Sequence, residues 1–230
     1  MSIFVLIASD FALAPALEAR WLQDLPAVRQ AGLARWPDRA ARHRSLIGSR
    51  LLHEGLRRAG FGDASLATLR HMPSSRPTLD LPVHFSVSRC EGRVLCAVSC
   101  TGPVGVDVEP LATMRAADFP NYLSASERSW AGEDTQRFYS IWTRKEAVAK
   151  AAGQRGLAEL RDIDTQAADA GASFAGAPWQ TAAIPAGTGY VAHLACGMDQ
   201  PLPSCLTIEQ VGRNVLEHGA PTAPSPVKNG

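Results

Sequence analysis

Two helical stretches, each followed by β-like runs, restrict the fold of this chain more than any other feature. Residues 38–59 read as a helix ended by Gly60 and Gly62, and the β-like runs "VHFSVSR" and "RVLCAVSC" follow, joined by the hairpin signal "CEG". A second helix over about 135–152, closed by Gly153, precedes "WQTAAIP", "GYVAHLAC" and "SCLTIEQV". The repeated order predicts an α+β chain of two similar halves with a cleft between them, where ligand pockets commonly form. No identity between the halves is visible, so the echo is one of pattern. The spacing also predicts a strand over 2–8, a helix over 12–25, a strand at "SLATLRHM" and a loop at "SSRPTLDLP". Ser124-Ala-Ser-Glu127 has the form of a capping box opening a short helix. We divide the chain into residues 1–102, residues 103–215 and a flexible tail over 216–230. "HGAPTAPSPVKNG" has the composition of a disordered end.

Charge is uneven along the chain. Residues 1–100 hold thirteen arginines, no lysine and eight acids, a surplus of five positive charges, whereas the 230-residue chain as a whole is only +1. A basic half beside an acidic half suits a phosphate-bearing ligand whose reacting end needs a cation. The near-zero total points away from nucleic acid or an anionic membrane as partner. Twenty of the 23 basic residues are arginine; two of the three lysines, Lys145 and Lys150, lie within "WTRKEAVAK". Five cysteines without a CxxC pair read as reduced thiols of a cytoplasmic protein. "MSIFVLIASD" lacks the basic start of a signal peptide, and no apolar run is long enough to cross a bilayer.

The stretch "VGVDVEP" (104–110) carries the first chemical motif. Alternate side chains of a strand point to opposite faces, so Asp107 and Glu109 share one face and Val106 and Val108 the other. Carboxylates converging to about 6 Å repel by roughly 2–3 kcal/mol at an effective dielectric near 20. Water screens such a pair at an exposed edge; a hard divalent cation such as magnesium turns the repulsion into attraction. By itself this pattern fits ordinary surface acids as well. In "FYSIWTRKEAVAK" (138–150), helical winding puts Phe138, Ile141, Trp142, Val148 and Ala149 in one apolar sector with Lys145 at its centre. A lysine there needs an anion or a route to solvent. Glu146 and Lys150 lie at the sector's edge with the spacing of an i, i+4 ion pair. Together the motifs supply three carboxylates and two ammonium groups, the parts of a phosphoryl-type transfer.

With Gly105-Val-Asp-Val-Glu109 followed by Trp142-Thr-Arg-Lys-Glu-Ala147 and Lys150, the chain resembles the 4′-phosphopantetheinyl transferases of the single-chain type that activates surfactin-like synthetases. The resemblance extends from about residue 25 to about 160. It implies two α/β halves related by a pseudo-two-fold axis, each a small sheet on a long helix. The implied reaction moves the phosphopantetheine arm of coenzyme A to a serine of an apo acyl, peptidyl or aryl carrier protein. Carried over by residue, Asp107 and Glu146 are expected to bind Mg²⁺ (or Mn²⁺), with Glu109 a third ligand or a holder of metal-bound water. Glu146 is the expected general base, and Lys150 and Lys145 are expected to face the pyrophosphate. "HRSLIG" assigns Arg44 and Ser45 to the nucleotide end; Arg29, Arg76 in "RPT", and Ser88 and Arg89 in "FSVSRC" complete the coenzyme A set. Arg89 stands where the family has histidine, and "GQRGL" (153–157) is one residue longer than the family segment. The resemblance further implies a cytoplasmic monomer. The alternatives are an inactive protein that binds coenzyme A or a carrier, or another Mg-dependent enzyme of nucleotide pyrophosphates.

Overall fold

A computed structural model describes residues 2–62, 65–70, 76–154, 156, 158–165, 171–200, 202 and 204–218. Its architecture repeats one unit. In the first half, strand β1 (Ile3–Ser9) leads through helices α1 (Pro15–Gln23) and α2 (Ala27–Ala34) to the long helix α3 (Arg39–Arg58), and then to the hairpin β2 (His84–Cys90) and β3 (Arg93–Ser99). In the second, β4 (Val104–Pro110) leads through α4 (Ala125–Ala131) to the long helix α5 (Thr135–Ala151). Strands β5 (Asp164–Thr165), β6 (Gly171–Phe174), β7 (Ala177–Ala183) and β8 (Tyr190–Gly197) follow. The sheets run β2-β3-β1-β9 and β4-β8-β7-β6-β5. In each, the last strand of the repeat (β3 or β8) lies in the middle, antiparallel to the first and to the one before it.

Alternation along the first strands builds the joint between the halves. Ile3, Val5 and Ile7 of β1 and Val104, Val106 and Val108 of β4 share one buried cluster with Leu95, Ala97, Ala192 and Leu194. The opposite face of the first sheet packs on α3 through Leu6, Val94, Cys96 and Val98 against Leu46, Leu51 and Leu52. Helix α5 covers the second sheet, with Ala147, Val148 and Ala151 among its buried residues there. The two long helices thus lie outside the two sheets.

Several boundaries differ from the sequence reading. Helix α1 begins at Pro15, suited to the first turn because its missing N–H has no intrahelical partner there. The break at Asp24-Leu25-Pro26 starts a separate α2, which hydrophobic periodicity did not separate. "SLATLRHM" is not a strand: Leu66–Thr68 form a 3₁₀ turn and Arg70 makes an isolated bridge with Thr78, while His71 and Met72 lie outside the described residues. The division at 103–215 is also corrected, because β9 (Leu206–Gln210) returns to pair in parallel with β1. Residues 216–218 close helix α6 (Arg213–His218), and Leu216 is buried in the first half; the rest of the expected tail lies outside the described residues. The capping box is present: Ser124 Oγ accepts from Glu127 N at 3.2 Å and Glu127 Oε2 accepts from Ser124 N at 2.8 Å. All five cysteines are free, and no helix among the described residues is long and apolar enough to cross a membrane.

Candidate active site

The halves meet along β2 and β4, the outer strands of their sheets. An outer strand leaves alternate backbone N–H groups unpaired. Here serine hydroxyls of β2 take them: Ser86 Oγ accepts from Val106 N at 3.1 Å and Ser88 Oγ from Val108 N at 3.4 Å. Those bonds fix β4 against β2. A second constraint fixes it against α5. A Cβ on Gly105 would fall into the backbone at Ala147 O and within 2.6 Å of Ala151 N, so only glycine lets the strand lie this close to the helix. Asp107 and Glu109, on the same face as Gly105, are thereby carried toward the α5 side chains one turn either side of Ala147.

Lys150 meets Asp107 there. Its Nζ lies 2.6 Å from Asp107 Oδ1, donates to Ser88 Oγ at 3.1 Å and to Val106 O at 3.3 Å. Ser88 Oγ also donates to Asp107 Oδ1 at 2.8 Å. Asp107 is 3% exposed, and its Oδ2 is buried with no hydrogen-bond partner among the described residues. The expected Glu146–Lys150 pair is therefore replaced by Lys150–Asp107. Desolvation, then the fields of Asp107 and Glu146, push the Glu109 carboxyl up to about 7 against the pull of Lys150. Desolvation and Asp107 also raise Glu146, again opposed by Lys150. No group of three or more His, Cys, Asp or Glu side chains among the described residues is arranged to hold a metal ion. In the structure an ammonium, Lys150, stands as counterion of the most buried of these acids, Asp107.

Lys145 does not belong to this site. It is 0% exposed and its Nζ lies 2.8 Å from Glu127 Oε2, with further bonds to Leu160 O at 2.9 Å and Ile163 O at 2.5 Å. Glu127 Oε1 accepts from Thr165 N and Oγ1 at 3.1 and 2.7 Å. Burial works to raise the Glu127 carboxyl, and its bonds from Lys145 and Thr165 outweigh it and hold the group below its ordinary value. The anion demanded by a lysine in an apolar sector is the capping-box glutamate of α4, a pairing distant in sequence and therefore not legible in the helix alone.

From Glu146 and Lys150 a cavity of about 390 Å³ extends between the halves to the first-half arginines. Arg29, Ser45, Arg76 and Arg89 line it, together with Trp36, Gly48, Phe85 and Ala149. Arg29 donates to Ser45 Oγ at 2.8 Å. Arg76 donates to Ala151 O at 3.2 Å and is 2.7 Å from His84 Nδ1. Arg89 reaches the open cavity, yet the surrounding protein partly desolvates it, and with Arg29 and Arg44 nearby its guanidinium is held below the ordinary arginine value. Two of the expected coenzyme A residues stand off the wall. Arg44 is engaged by Asp10 at 3.5 Å and Asp38 at 3.6 Å, and Ser88 is committed to Asp107 behind it. His43 accepts from Leu13 N at Nδ1 and meets buried Glu18 through Nε2, which makes it a support of α3. Trp36 and Ser86 were missed; "RWPDR", an aromatic amid arginines just before a helix, was the available sign of the first. Within "GQRGL", Arg155 and Leu157 lie outside the described residues.

A basic cavity thus ends at an acid–lysine cluster on a strand–helix contact. Residues 103–194 match the family model of the 4′-phosphopantetheinyl transferase superfamily (ACPS). The chain is 26% identical over 131 residues to the 4′-phosphopantetheinyl transferase gsp of Aneurinibacillus migulanus, covering 55% of each. It is 26% identical over 152 residues to a 4′-phosphopantetheinyl transferase of Bacillus subtilis, covering 63% of this chain and 67% of the relative. To the 4′-phosphopantetheinyl transferase Sfp of Bacillus subtilis strain 168 it is 29% identical over 119 residues, covering 49% and 53%. The match thus spans about half the length of the first of these relatives.

Proposed function

We propose that this protein transfers the 4′-phosphopantetheine arm of coenzyme A to a serine of an apo acyl, peptidyl or aryl carrier protein and releases 3′,5′-adenosine bisphosphate. The observation that carries this reading is one cavity, shared by both halves, with guanidinium groups at one end and the Glu146–Lys150–Asp107 cluster at the other. Arg29, Ser45 and Arg89 suit the phosphate on the ribose, since a guanidinium fork matches phosphate oxygens. Arg76 and Lys150 suit the diphosphate. Glu146 lines the cavity wall, and its raised proton affinity fits it to accept the proton of the carrier serine as that hydroxyl attacks the β-phosphate. The bond from that phosphorus to the bridging oxygen breaks, and the nearby cations offset the charge gathering on the departing nucleotide.

The donor set suits Mg²⁺ or Mn²⁺. Asp107 Oδ2 is buried without a partner among the described residues, and Glu109 and Glu146, whose proton affinity is raised first by burial and then by neighbouring negative charge, supply further oxygens to a cation. Asp107 and Glu146 would hold the ion, with Glu109 a third ligand or the holder of its water; the ion would neutralise diphosphate charge. The partners in this reading are coenzyme A and a carrier domain, with no nucleic acid or membrane involved and the enzyme acting as a cytoplasmic monomer. The test is incubation with coenzyme A, Mg²⁺ and several apo carriers, followed by weighing each carrier. Gain of the phosphopantetheine mass supports the reading; no gain on any carrier counts against it, and bound coenzyme A without transfer favours a binding protein.

A further inference from the structure

At the first-half end of the cavity two guanidinium groups share one indole. Arg29 Cζ lies 5.8 Å and Arg89 Cζ 5.4 Å from the Trp36 ring centroid, and all three residues line the cavity. Two like charges brought together repel, and the field of Arg29 on Arg89 is part of what lowers the latter's proton affinity. The negative face of an indole attracts both. Among the described residues Asp10 and Asp38 pair with Arg44, and Glu18 with Arg39, Arg42 and His43, while Arg29 donates to Ser45 Oγ at 2.8 Å.

The backbone that carries the ring is tied on both sides. Trp36 N donates to Leu33 O at 3.1 Å, and Trp36 O accepts from Arg42 Nη1 at 3.2 Å. Arg42 is in turn anchored 2.7 Å from Glu18 Oε1. Pro37 restricts the Trp36 backbone to extended conformations, and the side chain packs against the first-half core. A guanidinium on an aromatic face keeps its in-plane N–H groups available to phosphate oxygens.

We infer that Trp36 is a positioning residue that presents Arg29 and Arg89 as a paired receptor for a phosphate group of the ligand. The inference rests on the coenzyme A reading only for the identity of that ligand. A ring that acts through the arginines lowers ligand affinity when lost and leaves the reacting end intact.

The experiment is a double-mutant cycle on the full chain with Trp36→Leu, which keeps apolar bulk, Arg89→Ala and the double variant, read by calorimetric titration of coenzyme A and, separately, inorganic pyrophosphate. Trp36→Leu is expected to raise the coenzyme A Kd about tenfold, with kcat at saturating coenzyme A unchanged. Arg89→Ala should weaken binding far less in the Trp36→Leu background than in the wild type. Trp36→Phe, a milder change that preserves a ring should Trp36→Leu fold poorly, should raise Kd about threefold. Additive losses in the cycle, or Trp36→Leu and Trp36→Phe both binding both ligands as wild type does, would overturn the inference. Wild type that binds pyrophosphate in a Trp36-dependent way but ignores coenzyme A would support the receptor and overturn the coenzyme A reading alone.

Discussion

Strands β1 and β4 are the first strands of the two repeats, are of equal length, and send the same alternate positions, Ile3-Val5-Ile7 and Val104-Val106-Val108, into one shared cluster. Their other faces diverge. Where β1 offers Leu6 and Ala8 to the α3 side, both within the first-half core, β4 offers Asp107 and Glu109 toward α5. Strand β1 is interior, flanked by β3 and β9; β4 is an outer strand whose free N–H groups fall to Ser86 and Ser88. The same topology therefore makes a core at one position and a site at the other. What differs is access: an acid at an interior strand would lie buried without compensation, whereas at the seam it meets Lys150 and the cavity.

The strongest way to break that comparison is to write β1 into β4. Asp107→Leu is expected to leave a folded protein whose transfer rate, read by carrier mass, falls by about 10³-fold or more, because the charge-bearing end of the cavity is lost. Turnover within tenfold of wild type would reject the assignment.

The two lysines of α5 divide in the same way. Lys145→Met leaves Glu127 buried without its cation and should cost about 3–5 kcal/mol in denaturant unfolding, while the protein that remains folded keeps its turnover. Lys150→Ala should lose turnover, and because it leaves buried Asp107 without its cation it should also lower the unfolding midpoint, so turnover per folded molecule is what separates the two lysines. If Lys145→Met lost turnover at wild-type stability, the structural role given to Lys145 would fail.

A smaller effect separates the acids of the two halves. Glu18 supports α3 and has no place in the cavity. Burial alone would raise its carboxyl, but hydrogen bonds from Arg42, His43 and Arg39 bring it down to about 2. A carboxyl depressed from 4.5 in the unfolded chain contributes stability that is complete above pH 4.5 and drains away as pH falls toward 2. Unfolding free energy should decline by up to about 3 kcal/mol across that window, and Glu18→Gln should flatten the decline. A wild-type curve equally flat from pH 5 to 2 would contradict the network.

Two glycines sharpen the comparison at the smallest scale. Gly105→Ala thrusts a methyl group into the backbone of α5 and should lower stability by about 3 kcal/mol. Gly32 sits within α2 with nothing within 4 Å of an added Cβ, so Gly32→Ala should raise stability by about 0.5–1 kcal/mol. Thermal melting of the two variants decides the matter: equal shifts would mean that β4 and α5 separate more easily than the structure shows.

Much of this protein was legible before folding because the deciding forces were local. Period-2 alternation in "VGVDVEP" put both acids on one face, helical winding put Glu146 and Lys150 one turn apart, and Ser124 with Glu127 marked the start of α4. Misreadings arose where a distant partner decided. Pairing with β1 made "LTIEQ" part of the first sheet, and Glu127 turned Lys145 from an expected phosphate ligand into a tie between helices.

The sequence by itself determined which side chains share a strand face or a helical turn, since backbone geometry repeats over two residues or 3.6. Only the tertiary structure decided which face meets another element, and so whether a charge is neutralised in the interior, as at Lys145, or left within reach of a ligand, as at Glu146. That choice depends on burial and on partners supplied by segments far along the chain, and neither is written in local order.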